Sequence, residues 1–269
     1  MKIFKSINKL NKEVNFKANI GFVPTMGALH NGHISLIKSS KSKCNKTLVS
    51  IFINPSQFNK KKDYKSYPRN IKKDIAILKK LKVDYLLIPK NKDIYLNKKS
   101  MKIKIYQKDK VLCAKFRKGH FEGVLAVIKQ FLLHIKAKYI FLGKKDYQQI
   151  HLIKKYVIKK YSTKIISCNT IRLNNSLPCS SRNFLLSKKD IKKASSVSLM
   201  LKNFHNTIRK KMSNKKKIND LSKKIKSLKI KIEYLEIRNK INFTRKFTKS
   251  NFKIFISFYI NGVRLIDNF

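Results

Sequence analysis

Residues 22–36 read Phe-Val-Pro-Thr-Met-Gly-Ala-Leu-His-Asn-Gly-His-Ile-Ser-Leu, an apolar strand that breaks into a glycine-punctuated turn and then a helix. The strand, residues 20–23, delivers the chain to a sheet edge, where Gly27 and Gly32 are expected to leave backbone N–H groups open to an anion. A helix expected to begin near His33 and to run through Ile34, Leu36 and Ile37 adds the positive end of its dipole. His30 and His33 supply hydrogen-bond donors and, if protonated, positive charge. A turn of this make is a phosphate site.

Working outward, apolar runs near 20–24, 47–53, 83–88, 139–142 and 163–168 alternate with helical patterns. That is βαβ grammar. It predicts an α/β fold, a mostly parallel sheet with helices on both faces, and puts the first turn at a carboxyl strand end, where such sheets bind ligands. Near residue 170 the texture changes. Lysine-rich helical stretches over 187–211 and 215–228 precede strand candidates at 230–237 and 253–260, which predicts a smaller α+β domain over 171–269 behind a first domain of 1–170.

The chain has 269 residues, 42% of them hydrophobic, long enough for real cores, and a formal charge of +52. Read alone, that charge predicts a binder of nucleic acid or of anionic membranes. Its distribution argues otherwise. Lysine is spread through every segment, only 8 of the 65 basic residues are arginine, and the accompanying Asn and Ile excess matches AT-rich coding drift. Against such a background the 7 glycines and the arginines are informative, and they cluster. Gly21, Gly27 and Gly32 flank the first turn, and Gly119, Gly123 and Gly143 punctuate two others. Arg69, Arg117, Arg172, Arg182 and Arg264 fall in short segments outside the lysine runs. Cys44, Cys113, Cys168 and Cys179 lack zinc spacing and predict reduced thiols in a cytoplasm. Residues 1–16 are basic without a continuous apolar core, and no run approaches 18 apolar residues, so neither export nor a membrane span is expected.

Four further segments carry chemistry. In Val-Ser-Ile-Phe-Ile-Asn-Pro-Ser-Gln-Phe, 49–58, a strand ends at Asn54-Pro55 and leaves Asn54 and Gln57 at the same edge as the histidines; carboxamides bind hydroxyls and carboxylates without adding charge. Tyr67-Pro68-Arg69 with Asp74 precedes Arg117-Lys118-Gly119-His120-Phe121-Glu122-Gly123, where Arg117 is a candidate anion clamp. Phe-Leu-Gly-Lys-Lys-Asp-Tyr-Gln-Gln, 141–149, again leaves a strand through a glycine; Lys145 suits a phosphate, Asp146 a ribose and Gln149 a second substrate. Cys179-Ser180-Ser181-Arg182-Asn183 sets hydroxyls and a guanidinium on a loop of the kind that closes on polyphosphate.

In that order, VPTMGALHNGH, SIFINPSQF, YPR, RKGHFEGV, FLGKKDYQQ, SSRN and the terminal RLIDN resemble the pantothenate synthetase family, from the first turn nearly to the C-terminus. The His-x-Gly-His element alone is shared with many nucleotidyltransferases; the ordered set is specific. The resemblance implies a Rossmann-like domain for nucleotide and pantoate, a small C-terminal lid domain and a homodimer. It implies a ligase of pantoate and β-alanine that takes ATP with Mg²⁺ as substrate and forms a pantoyl adenylate, with no specific nucleic-acid partner. Carried over residue by residue, ATP is expected at Met26, Gly27, Ala28, Leu29, His30, Asn31, Gly32 and His33, at Gly143, Lys144, Lys145 and Asp146, at Ile171, and at Cys179, Ser180, Ser181 and Arg182. His33 takes the family's catalytic place, with His30, Lys145 and Arg182 stabilising charge. Gln57 and Gln149 are expected to hold pantoate, with Asn54 beside them and Gln57 also near β-alanine. Asp74 is a candidate for an indirect Mg²⁺ contact, against the alternative of a solvated acid at a helix start.

Three departures from the family pattern stand out. Lys144 replaces an acid, Asn175-Ser176-Leu177-Pro178 replaces Asp-Gly-Leu-Ala, and Leu96 replaces a proline. The first two bear on loop conformation and ATP affinity. Lys211-Met212-Ser213 with Lys215 looks like the lysine loop of class I tRNA synthetases, but little more than 50 residues follow, too few for an anticodon-binding module.

Overall fold

A computed structural model describes residues 1–95, 103–210 and 215–269; Leu96 and the segment Lys211-Met212-Ser213 lie outside these. The chain divides into two units, Met1–Ile105 with Arg117–Thr170, and Tyr106–Phe116 with Ile171–Phe269. The expected division into 1–170 and 171–269 therefore departs at 106–116, a segment that belongs with the second unit.

In the first unit, β1 (Lys2–Phe4), β2 (Ile20–Thr25), β3 (Lys46–Ile51), β4 (Tyr85–Leu87), β5 (Tyr139–Gly143) and β6 (Lys164–Cys168) form one parallel sheet in the order β1-β4-β3-β2-β5-β6. Strands β2 and β3 are buried along nearly their whole length. A strand covered on both faces reads as a continuous apolar run rather than an alternating one, which is why Phe22-Val23 and Leu48-Val49 are legible as core. The crossover helices are α1 (Ile7–Glu13), α2 (Asn31–Lys43), α3 (Lys61–Lys65), α4 (Ile71–Lys80), α5 (Asn91–Ile94), α7 (His120–His134) and α8 (Tyr147–Tyr156), with α6 (Cys113–Phe116) in the other unit. Helix α7 is buried over most of its length, from Phe121 through Leu132. The α/β expectation holds. Strand β1 is an addition, pairing with β4 at the far edge through Lys2↔Tyr85 and Phe4↔Leu87.

The second unit carries α9 (Lys188–Lys210), α10 (Lys215–Ser227) and an antiparallel sheet of β7 (Lys231–Asn239), β8 (Phe252–Ile260) and β9 (Val263–Asn268). Ala194, Val197 and Leu201 of α9, Ile225 of α10 and Ile254, Ile256 and Phe258 of β8 share one core. Strand β9 is also an addition. At its end Asp267, 3% exposed, takes both guanidinium arms of Arg172 at 2.9 Å and the Ser198 hydroxyl at 2.7 Å. The Arg172 guanidinium also lies 3.9 Å from the centroid of the Phe269 ring and donates to the Ser176 carbonyl. That last bond closes the turn where the chain departs from the Asp-Gly of the family it resembles: Ser176 holds a left-handed φ of 71°, and the Asn175 side chain accepts from Leu177 N. Serine thus occupies a glycine-favouring conformation, and the Asn175 carboxamide oxygen supplies the turn's side-chain acceptor.

Removing Arg172 leaves the Asp267 carboxylate buried with its cation gone, so Arg172→Ala is expected to lower stability by about 3 kcal/mol. Urea denaturation measures it, and a loss below about 1 kcal/mol would show that the pair behaves as an exposed one.

Candidate active site

Strand β2 lies between β3 and β5, and the chain runs outward from it in both directions along the sheet, the switch point at which parallel α/β sheets bind ligands. Three loops leave the carboxyl ends of these neighbours: residues 26–30 after β2, 52–58 after β3 and 144–146 after β5.

The first loop differs from the expectation in a way that changes its chemistry. Its amides are not left open. Gly27 N donates to Thr25 Oγ1 at 3.1 Å, Ala28 N and Leu29 N donate to the two carboxylate oxygens of Asp74 at 2.8 Å each, and Gly32 N donates to His30 Nδ1 at 3.1 Å. Helix α2 begins at Asn31, not near His33, with His30 as its cap. Because His30 Nδ1 accepts, its proton sits on Nε2, and that N–H is the donor the ring has left.

The His30 and His33 rings lie 4.1 Å apart, and the buried Nδ1 of His33 has no hydrogen-bond partner among the described residues. Burial, then His33 and Lys145, depresses the pKa of His30 from 6.5 to about 2. Burial likewise brings His33 down to about 4, with Asp146 pulling it upward and Lys145 downward. Both pKa values lie well below neutral pH, so of the two possibilities, donor alone or donor with charge, the rings take the first. The cation of this corner is Lys145, whose Nζ lies 3.5 Å from Asp146 Oδ1. Lys144, the departure from the family's acid, donates to Asn169 Oδ1 at 2.8 Å. Gly143 ends β5, and Gln149 lies half-buried in the first turn of α8.

The second loop carries Gln57, nearly buried, whose Nε2 lies 3.8 Å from Met26 Sδ and so faces the first loop. Its backbone carbonyl accepts from His120 Nδ1 at 2.6 Å and from Arg117 Nη2 at 3.3 Å, while Arg117 Nη1 lies 2.7 Å from His120 Nε2. A carbonyl only accepts and a guanidinium only donates, so His120 carries its proton on Nδ1. Arg117 is therefore a buried brace behind Gln57, not the expected anion clamp. Asn54 is spent inside as well: fully buried, it donates to the Gly123 carbonyl at 3.1 Å and accepts from Ser56 N, Ser56 Oγ and the Tyr95 hydroxyl. Its acceptor and one amide hydrogen are thus engaged by protein. Gly123 permits this packing, since a Cβ there would fall 2.3 Å from the Ser56 carbonyl oxygen. Arg69 also serves the backbone, donating to the carbonyls of Tyr64, Lys65 and Tyr67 behind α3.

Asp74, expected either at a metal or in solvent, is 2% exposed and satisfies two amides of the histidine turn. Nothing in the sequence signals that contact, which spans 45 residues. In the second unit, Cys179 N pairs with the Ile171 carbonyl at 2.9 Å, and Ser180 Oγ caps the single helical turn Ser181–Leu185 by accepting from Arg182 N. The five expected ATP residues of that unit, Ile171 and residues 179–182, thus share one short hairpin-like loop.

The family model described as pantoate-beta-alanine ligase matches residues 2–269. Pantothenate synthetase of Francisella tularensis subsp. mediasiatica (strain FSC147) is 42% identical over 269 residues, covering 98% of this chain and 94% of that protein. A crystal structure of pantoate-beta-alanine ligase from Francisella tularensis, complexed with beta-gamma ATP and beta-alanine, superposes with a TM-score of 0.86 at 41% identity over 100% of this chain and 97% of that one. Pantothenate synthetase from Thermus thermophilus superposes with a TM-score of 0.92 at 26% identity, covering 100% and 99%. Matched over its whole length by the family model and by these relatives, the chain belongs to the pantoate-beta-alanine ligase family, the pantothenate synthetases.

Proposed function

We propose that this enzyme joins pantoate to β-alanine in two steps, through a pantoyl adenylate. A pantoate carboxylate oxygen attacks the α-phosphorus of ATP, and the bond to the bridging oxygen breaks to release diphosphate. The β-alanine amine then attacks the acyl carbon, loses a proton, and AMP leaves. Neither step needs a protein nucleophile. The requirement is in-line positioning and stabilisation of the charge that moves to the diphosphate. The observation that carries the reading is the close, tilted pair of neutral rings His30 and His33 beside Lys145, with Gln57 on the neighbouring loop.

Neutral imidazoles donate hydrogen bonds to phosphoryl oxygens without giving up a proton in the ground state, and Lys145 supplies the formal charge. The ligand set proposed for ATP is residues 26–33 and 143–146 with Ile171 and residues 179–182, Arg182 adding a guanidinium. Gln57 and Gln149 are assigned to pantoate, and Gln57 also to β-alanine. Mg²⁺ is proposed to enter the site with ATP. The family likeness extends the proposal to a homodimer. The free thiols of Cys44, Cys113, Cys168 and Cys179 support a reducing cytoplasm as its place of action.

His33→Ala is expected to lower pantoate-dependent exchange of diphosphate into ATP by about a hundredfold or more with the fold intact; near-normal exchange in that variant overturns the role given to His33. Wild-type protein that shows no pantoate-dependent exchange, and no β-alanine-dependent release of AMP afterwards, overturns the proposed reaction.

The histidine pair also sets a pH dependence. Both folded pKa values lie below 6.5, so the unfolded chain binds more protons, and the stability gained by keeping the rings neutral is complete above 6.5 and lost as pH falls toward about 4 and about 2. In the free enzyme the ring resonances of His30 and His33 are expected not to titrate between about pH 5.5 and 8, while stability declines on acidification below 6.5. A midpoint near 6.5 for either ring in an NMR titration refutes this.

With a formal charge of +52 and anionic substrates, kcat/KM for ATP is expected to fall several-fold between about 0.02 M and about 0.3 M salt as the long-range field is screened. A flat dependence in steady-state rates would assign recognition to short-range contacts alone.

A further inference from the structure

The carboxylate of Asp74 sits where an incoming phosphate was expected. It reaches from the first turn of α4 to the loop after β2, is 2% exposed, and accepts from two successive amides, Ala28 N and Leu29 N, at 2.8 Å each. Two adjacent N–H groups converging on two oxygens of one anion form a nest, and this nest is filled from inside the protein. Neighbouring residues are shaped to it. Ala28 holds φ 50°, a left-handed conformation that is strained for a residue with a side chain and persists only where the surroundings hold it. At Gly27, with φ 75°, an added Cβ would fall 2.9 Å from Asp74 Oδ2, so the approach of the carboxylate requires glycine there.

We infer that Asp74 is a positioning residue for adenylate formation: its carboxylate locks the backbone of residues 27–29 and thereby sets where His30 and His33 stand, and it does not ligate Mg²⁺. This rests on the reading of the histidine turn as the ATP site. Two consequences separate it from a metal role. Each oxygen accepts an amide that holds the loop's shape and the carboxylate is 2% exposed, so a hydrated cation reaches it only if the loop is displaced. Because the nest is already full, the two amides are not offered to the triphosphate, and anion recognition at this turn falls to the side chains of His30, His33 and Lys145.

Asp74→Asn tests it at constant volume. The asparagine oxygen satisfies one amide, but its NH₂ opposes the other, donor against donor, and that end of the loop opens. Expected in the variant are faster hydrogen exchange at Ala28 and Leu29 and a fall in pantoate-dependent diphosphate exchange on the order of a hundredfold. The Mg²⁺ concentration for half-maximal exchange is expected to stay unchanged, as is conversion of supplied pantoyl adenylate and β-alanine. Unaltered exchange rates at the two amides with a raised Mg²⁺ requirement would make Asp74 a metal ligand and overturn the inference, as would full activity in the variant. Should Asp74→Asn not fold, the wild type still decides: Ala28 and Leu29 amides protected without nucleotide support the lock, and rapid exchange there refutes it. That arm is independent of whether the protein ligates pantoate.

Discussion

Strand β2 hydrogen-bonds to a parallel neighbour on each side, to β3 from Ile20↔Lys46 through Thr25↔Ile51 and to β5 at Gly21↔Tyr139 and Phe22↔Ile140. Because all three run the same way, their carboxyl ends open on one edge, and three loops that are distant in sequence become neighbours. The histidine turn, the Gln57 turn and Lys145 are brought together by that pairing and by nothing in their own sequences. A parallel pair needs a crossover between its strands, and here the crossovers do a second task. Helix α4, which follows β3 in the chain, sends Asp74 back to the β2 loop, and α7, which precedes β5, sends His120 and Gly123 to the β3 loop. Each loop is held by a helix that belongs to a different strand.

What the site offers a substrate is set by how those loops satisfy themselves. The histidine turn spends its amides on Thr25, Asp74 and His30, and the Gln57 turn spends its carbonyl on Arg117 and His120. Beyond the backbone, these loops contribute side-chain chemistry: an imidazole N–H on His30, the Lys145 ammonium beside Asp146 and the Gln57 primary amide. Burial keeps both imidazoles neutral, so positive charge at the turn is concentrated on Lys145 with Asp146 beside it. A site built this way orients a polyanion by few, directional donors and leaves the charge to a small number of cations. In a chain of +52, such separation of direction from charge matters, since charge alone is everywhere.

The α/β alternation was legible because β2 and β3 are buried on both faces and read as unbroken apolar runs, and the five segments with glycine or arginine islands were legible because the rest of the chain is so lysine-rich. Strand β1 escaped because three residues, two of them exposed, leave no period to detect. Strand β9 escaped although its signal was present: Asn261-Gly262, at φ 47° and 78°, is a two-residue turn of the hairpin type between Ile260 and Val263. The start of α2 was placed late because His30 serves as its cap, and histidine is not among the residues read as caps. The contacts of Asp74 with Leu29, of Asn54 with Gly123 and of Arg117 with Gln57 span 45, 69 and 60 residues, and no local pattern encodes them.

The arginines settle what the composition left open. In a background that replaces arginine by lysine nearly everywhere, a surviving guanidinium marks a place where one flexible ammonium cannot reach all the acceptors. Arg69 serves three carbonyls, Arg117 a carbonyl and an imidazole, Arg172 both oxygens of Asp267 with two carbonyls, Arg238 Glu236 and the Phe243 carbonyl, and Arg264 Glu233 and Cys113. Each uses the planar fork, with donors fixed at known angles, to tie segments distant in the chain or to close a turn. Five of the 8 arginines are thus brackets of the fold, which is why most of them lie outside the lysine runs. The pressure that keeps arginine here is geometric before it is electrostatic. The same reasoning separates Lys145, whose ammonium meets Asp146 as a single compact charge, from a brace, which needs two donors at a fixed angle.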